Sequence, residues 1–502
     1  MKNTVGKGAF ILIVSGIVCK FFGALFRLPL INIIGIEGIG MFQMIMSLYS
    51  LMLVFISGGI TSSLSKLVSS ARARGEDVKL GGFLRYAIIF SGGLGIFIGL
   101  LFFLLSSSIA SMQGITNGKN CYLLFFILLP LGGLIGVYRG IIQGYENMSP
   151  TAVSQVIEQL IKFVFGLFFA FLFKERGYEA GVFGAFLGIT LSEVLAFLYL
   201  FIVMCKKVNI KLNKSNVKKE FFNAVLPLSF SGAILPFTHA LESLIIVSLF
   251  VKAGFSNAQA TTLYGLQTGV VGAILNFPMI ISISIAVAIL PKISFLNSKG
   301  SIEEQKNLIK SAFNIMWFLL IPLIVGIYAV CKQIYPIIYP NAINGYLDVA
   351  VQLTLIGGVS IILASINQFL SSILQAKGYF YHSLFFNILG GVGKIFMLLI
   401  FAPVEAISIY SIALSNIVMF SIISICTLIK LGSLIKIDVF QVFLPILSSL
   451  SMFLVVKIIL KYFVGIGGVI LSIFSGVVIY FLMALPLTKE YGNILIKKLK
   501  RN

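Results

Sequence analysis

Eight ionisable side chains stand inside long apolar runs of this chain: Lys20, Arg27, Glu158, Lys162, Glu193, His239, Glu242 and Lys394. A charge at the centre of a bilayer costs roughly 2.5–3.5 kcal/mol on insertion scales, less when it faces a wet cavity or a partner, so such residues mark the first places to look for chemistry. Arg27 sits in Gly23-Ala24-Leu25-Phe26-Arg27-Leu28-Pro29-Leu30. Pro29 lacks an amide hydrogen and clashes with the carbonyl four residues earlier, so it is expected to kink that helix about one turn below the arginine. A kinked helix with a guanidinium inside a membrane suits moving parts around an anionic cargo; the plainer alternative is that Arg27 snorkels to lipid phosphates. Lys20 and Arg27, seven apart, share a helix face. Glu158 and Lys162, four apart, either neutralise each other or meet cargo. His239 and Glu242 lie three apart below Pro236, and a histidine there suits either a satisfied interface or proton carriage. Four cations (Lys20, Arg27, Lys162, Lys394) against three acids (Glu158, Glu193, Glu242) lean toward an anionic head group.

The elements that hold these residues must be membrane helices. The 502 residues are 59% hydrophobic and 11% charged, with a mean hydropathy of +1.07, which excludes a soluble enzyme. Six apolar runs fill the first half: 8–34, 38–68, 81–107, 121–143, 151–173 and 181–204. Six more follow at 221–249, 262–290, 311–329, 346–374, 381–401 and 406–428, and then two at 439–460 and 464–485. The expectation is an all-α polytopic membrane protein of about fourteen spans. It divides into an amino-terminal lobe (1–205), a basic linker (206–220), a carboxy-terminal lobe (221–431), and a pair of extra helices with a basic tail (432–502). Met1–Lys7 lead into a long span without a small-residue cleavage site, which reads as a retained first helix.

The net charge of +21 would suggest nucleic acid in a soluble chain; here the basic residues fall mostly in short loops and read as topology signals. Arg72, Arg74, Lys79, the 206–219 linker, Lys292, Lys299, Lys306, Lys310 and the tail Lys497, Lys498, Lys500 and Arg501 fall on one side, so both termini are expected in the cytoplasm and the protein in the plasma membrane. Cys19, Cys121, Cys205, Cys331 and Cys426 are scattered singly, with no disulfide or metal spacing. Ile141-Ile142-Gln143-Gly144 after the fourth span corresponds to Ile373-Leu374-Gln375-Ala376 after the tenth, and the same offset sets Lys162 on Lys394, as two parallel six-helix repeats would require. No Walker loop or metal-ligand spacing is present, so no catalytic residue, cofactor or ATP hydrolysis is expected and the drive must be a gradient, the membrane potential or downhill flow.

Three stretches carry a family resemblance: Gly35-Ile36-Glu37-Gly38-Ile39-Gly40-Met41-Phe42-Gln43, Gly58-Gly59-Ile60-Thr61-Ser62-Ser63-Leu64-Ser65-Lys66-Leu67-Val68, and, most specifically, the run from Tyr138 to Gln159. Through them the chain resembles the stage V sporulation protein B branch of polysaccharide-type flippases. That branch belongs to the multidrug/oligosaccharidyl-lipid/polysaccharide exporter superfamily, alongside lipid II flippases of the MurJ type. The resemblance implies a MATE-like fourteen-helix fold and alternating access. It also implies an undecaprenyl-diphosphate-linked saccharide as cargo, lipid II or a related peptidoglycan precursor, moved from inner to outer leaflet. Arg27 matches the first-helix arginine that lipid II flippases turn toward the diphosphate, although Leu28 stands where they have an acid, and Glu242 stands where this branch often places one in the seventh helix.

The expected cargo-binding residues are Arg27, Lys20, Lys162, Lys394 and Glu37, and the expected coupling residues are Glu242, His239 and Glu158. Expected partners are the lipid-linked saccharide, membrane lipids and a coupling cation, Na⁺ or H⁺; nucleic acid is not expected, and the protein is read as a monomer. A gradient-driven multidrug/cation antiporter of the same superfamily, or an exporter of another lipid-linked polysaccharide unit, is the alternative. A membrane glycosyltransferase would want carboxylate-bearing loops, whereas the outer loops are short with isolated acids such as Glu37 and Asp348.

Overall fold

With no water in the hydrocarbon to satisfy backbone groups, an apolar chain of this length must close its hydrogen bonds within helices. The computed structural model describes residues 2–208, 215–435 and 438–486, and among these the regular structure is entirely helical. Lys211 and Lys214 of the expected linker, and the tail Lys497, Lys498, Lys500 and Arg501, lie outside the described residues.

The chain opens with α1 (Lys2–Leu53), α2 (Ile60–Ala73), α3 (Val78–Leu104), the short α4 (Ser106–Met112) and α5 (Lys119–Leu123), α6 (Phe125–Gly144), α7 (Ser149–Phe173) and α8 (Tyr178–Lys207). It continues through α9 (Lys218–Lys252), α10 (Asn257–Gly265), α11 (Gly272–Lys299), α12 (Ile302–Ile338), α13 (Leu347–Ala376) and α14 (Phe380–Phe401). The last elements are α15 (Glu405–Ser408), α16 (Ser411–Leu431), α17 (Val439–Tyr462) and α18 (Ile466–Met483). Thirteen helical stretches among the described residues are long and apolar enough to cross a membrane, and the first, Val14–Ala73, is 60 residues long and leaves helical geometry at Gly35, so it has the length for two crossings.

The break falls between the expected runs 8–34 and 38–68. Pro29 lies inside α1, and the backbone leaves helical values at Gly35, with φ 74° and ψ −179°. A proline is tolerated in a membrane helix where neighbours satisfy the freed carbonyl, whereas this φ/ψ region belongs almost solely to glycine. Two π-helical turns, Val54–Gly58 and Leu266–Val271, interrupt the apolar helical stretches Val14–Ala73 and Asn257–Lys299. Such turns favour functional sites.

The chain forms two compact units, one of Met1–Val270 with Lys394–Ser411, the other of Val271–Gly393 with Ile412–Asn502, of which residues to 486 are described. The first is built on Ile60, Leu64, Val68, Phe83, Ile141 and Phe221, all closed to solvent. Within it the helix after the Gly35 break crosses α10 at glycines: a Cβ on Gly40 would run into the Thr261 carbonyl oxygen and one on Gly265 into that of Ile36. The second unit packs α11, α12 and α13 around Ile293, Met316, Phe369 and Ile373. In it α12 is tied to the last two helices by Trp317 Nε1 donating to the Val442 carbonyl (3.0 Å) and Tyr480 Oη to that of Phe318 (2.6 Å). Asp438 caps α17 by accepting from the Phe440 amide, and a hydrogen bond from Lys310 holds its carboxyl below the usual carboxylate range. All five cysteines are free.

Candidate cargo and coupling site

The charges at membrane depth in the first unit gather into two clusters. One forms where α1, α6, α7 and α8 meet. Lys162 on α7 rests its ammonium over the Phe26 ring of α1, 5.7 Å from the centroid, within electrostatic reach of Arg27, Glu158 and Glu193. Glu158, one turn earlier on the same helix, pairs elsewhere. Arg139 on α6 donates from Nη2 to Glu158 Oε2 at 2.9 Å and from Nε to Ser154 Oγ at 3.0 Å. Of the two alternatives for Glu158 and Lys162, a direct ion pair between them is not formed: the Arg139 guanidinium makes two directed hydrogen bonds across the α6–α7 contact, which an i,i+4 ammonium does not match. Glu193 on α8, nearly closed to solvent, accepts a 2.9 Å hydrogen bond from Tyr49 Oη on the helix after the Gly35 break. Both local acids are thus engaged, and Lys162 has no acid within ion-pair distance among the described residues.

The remaining predicted cargo residues are placed differently. Arg27 is half-buried on α1, while Lys20, two turns earlier, is exposed. Glu37, just beyond the Gly35 break, accepts from Tyr178 Oη at 2.8 Å and makes no ion pair among the described residues.

The second cluster joins α9 to α14. Lys394 is closed to solvent and forms an ion pair with Glu242, whose side chain is 3% exposed. His239 Nδ1 lies 3.2 Å from the Lys394 ammonium and 3.5 Å from Glu242 Oε2, and its side chain is 47% exposed. The structure thus brings one predicted cargo residue together with two predicted coupling residues. A buried lysine in hydrocarbon is tolerable only with such a partner, and the half-exposed imidazole is the one member that meets the surroundings.

Sequence reasoning missed Arg139 and Tyr49. Arg139 lay in plain view inside the Tyr138–Gln159 run, but its partner is nineteen residues away and no local spacing announces it. Tyr49 carried no signal beyond its hydroxyl in an apolar run.

Comparison with known proteins fits this architecture. Residues 5–297, more than half of the chain, match the model of the polysaccharide biosynthesis protein family. Stage V sporulation protein B of Bacillus subtilis (strain 168) is 30% identical over 304 residues, 58% of this chain and 58% of that protein. The lipid II flippase MurJ of the same organism is 24% identical over 406 residues, 73% of this chain and 74% of the relative. Among solved structures, a lipid II flippase MurJ in an inward closed conformation superposes with a TM-score of 0.68 at 15% identity, covering 95% of this chain and 99% of that one. An inward-facing MATE family multidrug resistance transporter gives 0.65 at 16%, covering 83% and 95%. At these identities the structural likeness speaks for the fold. With residues 5–297 matched, the chain belongs to the polysaccharide biosynthesis protein family.

Proposed function

We propose that the protein is a flippase that carries an undecaprenyl-diphosphate-linked saccharide, lipid II or a related peptidoglycan precursor, from the inner to the outer leaflet of the plasma membrane by alternating access. The observation that carries this reading is the ammonium of Lys162 at membrane depth beside Arg27, with the nearby acids Glu158 and Glu193 turned to Arg139 and Tyr49. A site built this way favours a diphosphate over a cationic drug. Arg27 supplies a planar fork that fits two phosphate oxygens, Lys162 a point charge, and the fork is the part that lysine does not reproduce. The relatives named for sporulation and for lipid II flipping support the cargo class.

The moving bodies are the two six-helix lobes, 1–205 and 221–431, with both termini cytoplasmic. Coupling runs through Glu242, His239 and Lys394. Because the carboxylate of Glu242 is already met by a tethered ammonium, the ion this cluster suits is a proton, entering by the exposed imidazole.

The test is translocation of fluorescent undecaprenyl-diphosphate disaccharide in reconstituted vesicles. Arg27→Lys should lose much of the rate and Arg27→Ala nearly all, at unchanged insertion. Wild-type rates in Arg27→Ala would reduce that residue to a snorkelling anchor and remove the cargo site.

A further inference from the structure

A crevice of about 380 Å³ opens between α3 and α9 in the first unit, lined by none of the residues of the two charged clusters. It is lined by Tyr86, Ile89, Phe90, Gly93, Leu94 and Phe97 of α3 and by Phe222 of α9. From Tyr86 to Phe97 the helix rises about 16 Å, so the crevice runs through much of one leaflet. Phe90 and Phe222 stand edge to face at 5.3 Å between centroids, and behind them Tyr86 stacks on Phe221, which is closed to solvent. The rings are therefore fixed from behind. At Gly93 an added Cβ would meet nothing within 4 Å, so the space is open to the side from which lipid approaches.

The crevice has a charged end. Arg85 precedes Ile89 by four residues, and Lys218 and Lys219 precede Phe222 by four and three, so all three cations lie one turn along the faces that line it. The starts of α3 and α9 are held side by side by Lys79, which reaches Glu76 at 2.9 Å and Glu220 at 3.7 Å. These two acids are thereby engaged, and among the described residues Arg85, Lys218 and Lys219 have no acidic partner.

We propose that this crevice is a binding site for an anionic membrane phospholipid, with one acyl chain between the rings of α3 and α9 and the phosphate against Arg85, Lys218 and Lys219. Burial of hydrocarbon does not select such a ligand, since acyl chains are already in an apolar medium. Packing on fixed rings and attraction of the head group do, and basic pockets between helices at a membrane surface favour anionic lipids. The bound lipid would splint the start of α3 to the start of α9.

The experiment is native mass spectrometry of the full chain in detergent, titrated with phosphatidylglycerol and, separately, phosphatidylcholine. The expected result is one retained phosphatidylglycerol per protein and at least tenfold weaker retention of phosphatidylcholine. Gly93→Phe, which fills the open space, should abolish retention. Arg85→Gln or Lys219→Gln should each weaken it about fivefold, the factor that about 1 kcal/mol per surface cation gives. If Gly93→Phe does not fold, the two glutamine variants carry the test. Equal retention of the two lipids, retention unchanged by the glutamine variants, or displacement of phosphatidylglycerol by equimolar undecaprenyl phosphate would each overturn the assignment, the last by giving the crevice to the cargo's tail.

Discussion

Replacing Glu242 by leucine should be among the most damaging single changes in the protein, and the structure says why. The carboxylate is 3% exposed and its partner ammonium on Lys394 is fully closed to solvent, so water cannot take over when the acid is removed. Breaking a buried pair by removing one member costs about 3–5 kcal/mol, because an uncompensated charge is left behind. Here the lower end applies, because His239 Nδ1, 3.2 Å from Lys394, stays within hydrogen-bond distance of the ammonium. A cost of about 3 kcal/mol is roughly two orders of magnitude in the unfolding equilibrium. The double variant Glu242→Leu with Lys394→Met removes both charges at similar volume and should return to within about 1 kcal/mol of the parent. Equilibrium unfolding in mixed micelles of graded SDS content reads the parent and both variants, and vesicle transport separates their function. The double variant should be stable but uncoupled. If Glu242→Leu unfolds with the parent, or the double variant is as weak as Glu242→Leu, Lys394 and Glu242 are not a buried pair and the cluster has no claim to coupling.

Gly35→Ala forces a side chain into a glycine-only conformation and should cost about 1–3 kcal/mol in the same unfolding assay, whereas Pro29→Ala should cost less; the reverse order would return the break to the proline. Gly40→Val drives a side chain into the Thr261 carbonyl and should destabilise by about 1–3 kcal/mol in the same unfolding assay, and parent-like unfolding would show that α10 does not pack on Gly40. Truncation after Ser433 removes α17 and α18, which expose Phe443, Leu454, Ile470 and Phe474 as an apolar surface suited to a polyprenyl tail. The shortened protein should then move short-tailed cargo analogues and fail on long ones, and equal rates on both would show that these helices only pad the second unit. Reporters at Ser215 and after Asn502 should read cytoplasm and one at Asn117 the outside, which an exterior signal at Ser215 would contradict.

Much of the architecture was legible because the bilayer leaves the chain few options. The apolar runs set the crossings, and the loops between them fall where charge, glycine and proline cluster. The site was legible as a set of expensive charges but not as partnerships. Glu158 was visible as a charge in an apolar run, yet its nearest cation in sequence, Lys162, is not its partner; the pairing with Arg139 depends on how α6 lies against α7, which helical spacing does not encode. Glu242 and Lys394 were likewise each visible, while their contact needed the tertiary fold. The turn between the first two runs was legible at residues 35–37, whereas the φ of 74° that makes Gly35 its pivot is a backbone value that residue type alone does not give. Tyr49 was silent, since a tyrosine in an apolar helix usually signals packing and its hydroxyl gains meaning only once Glu193 is seen beside it.

The central claim, that this protein moves a lipid-linked saccharide outward, meets its most direct test in cells. Depletion of the protein followed by leaflet-resolved quantification of undecaprenyl-diphosphate intermediates should show a saccharide-linked species accumulating on the inner leaflet, reversed by the parent chain and not by Arg27→Ala. Unchanged inner-leaflet levels, or accumulation on the outer leaflet, would contradict it.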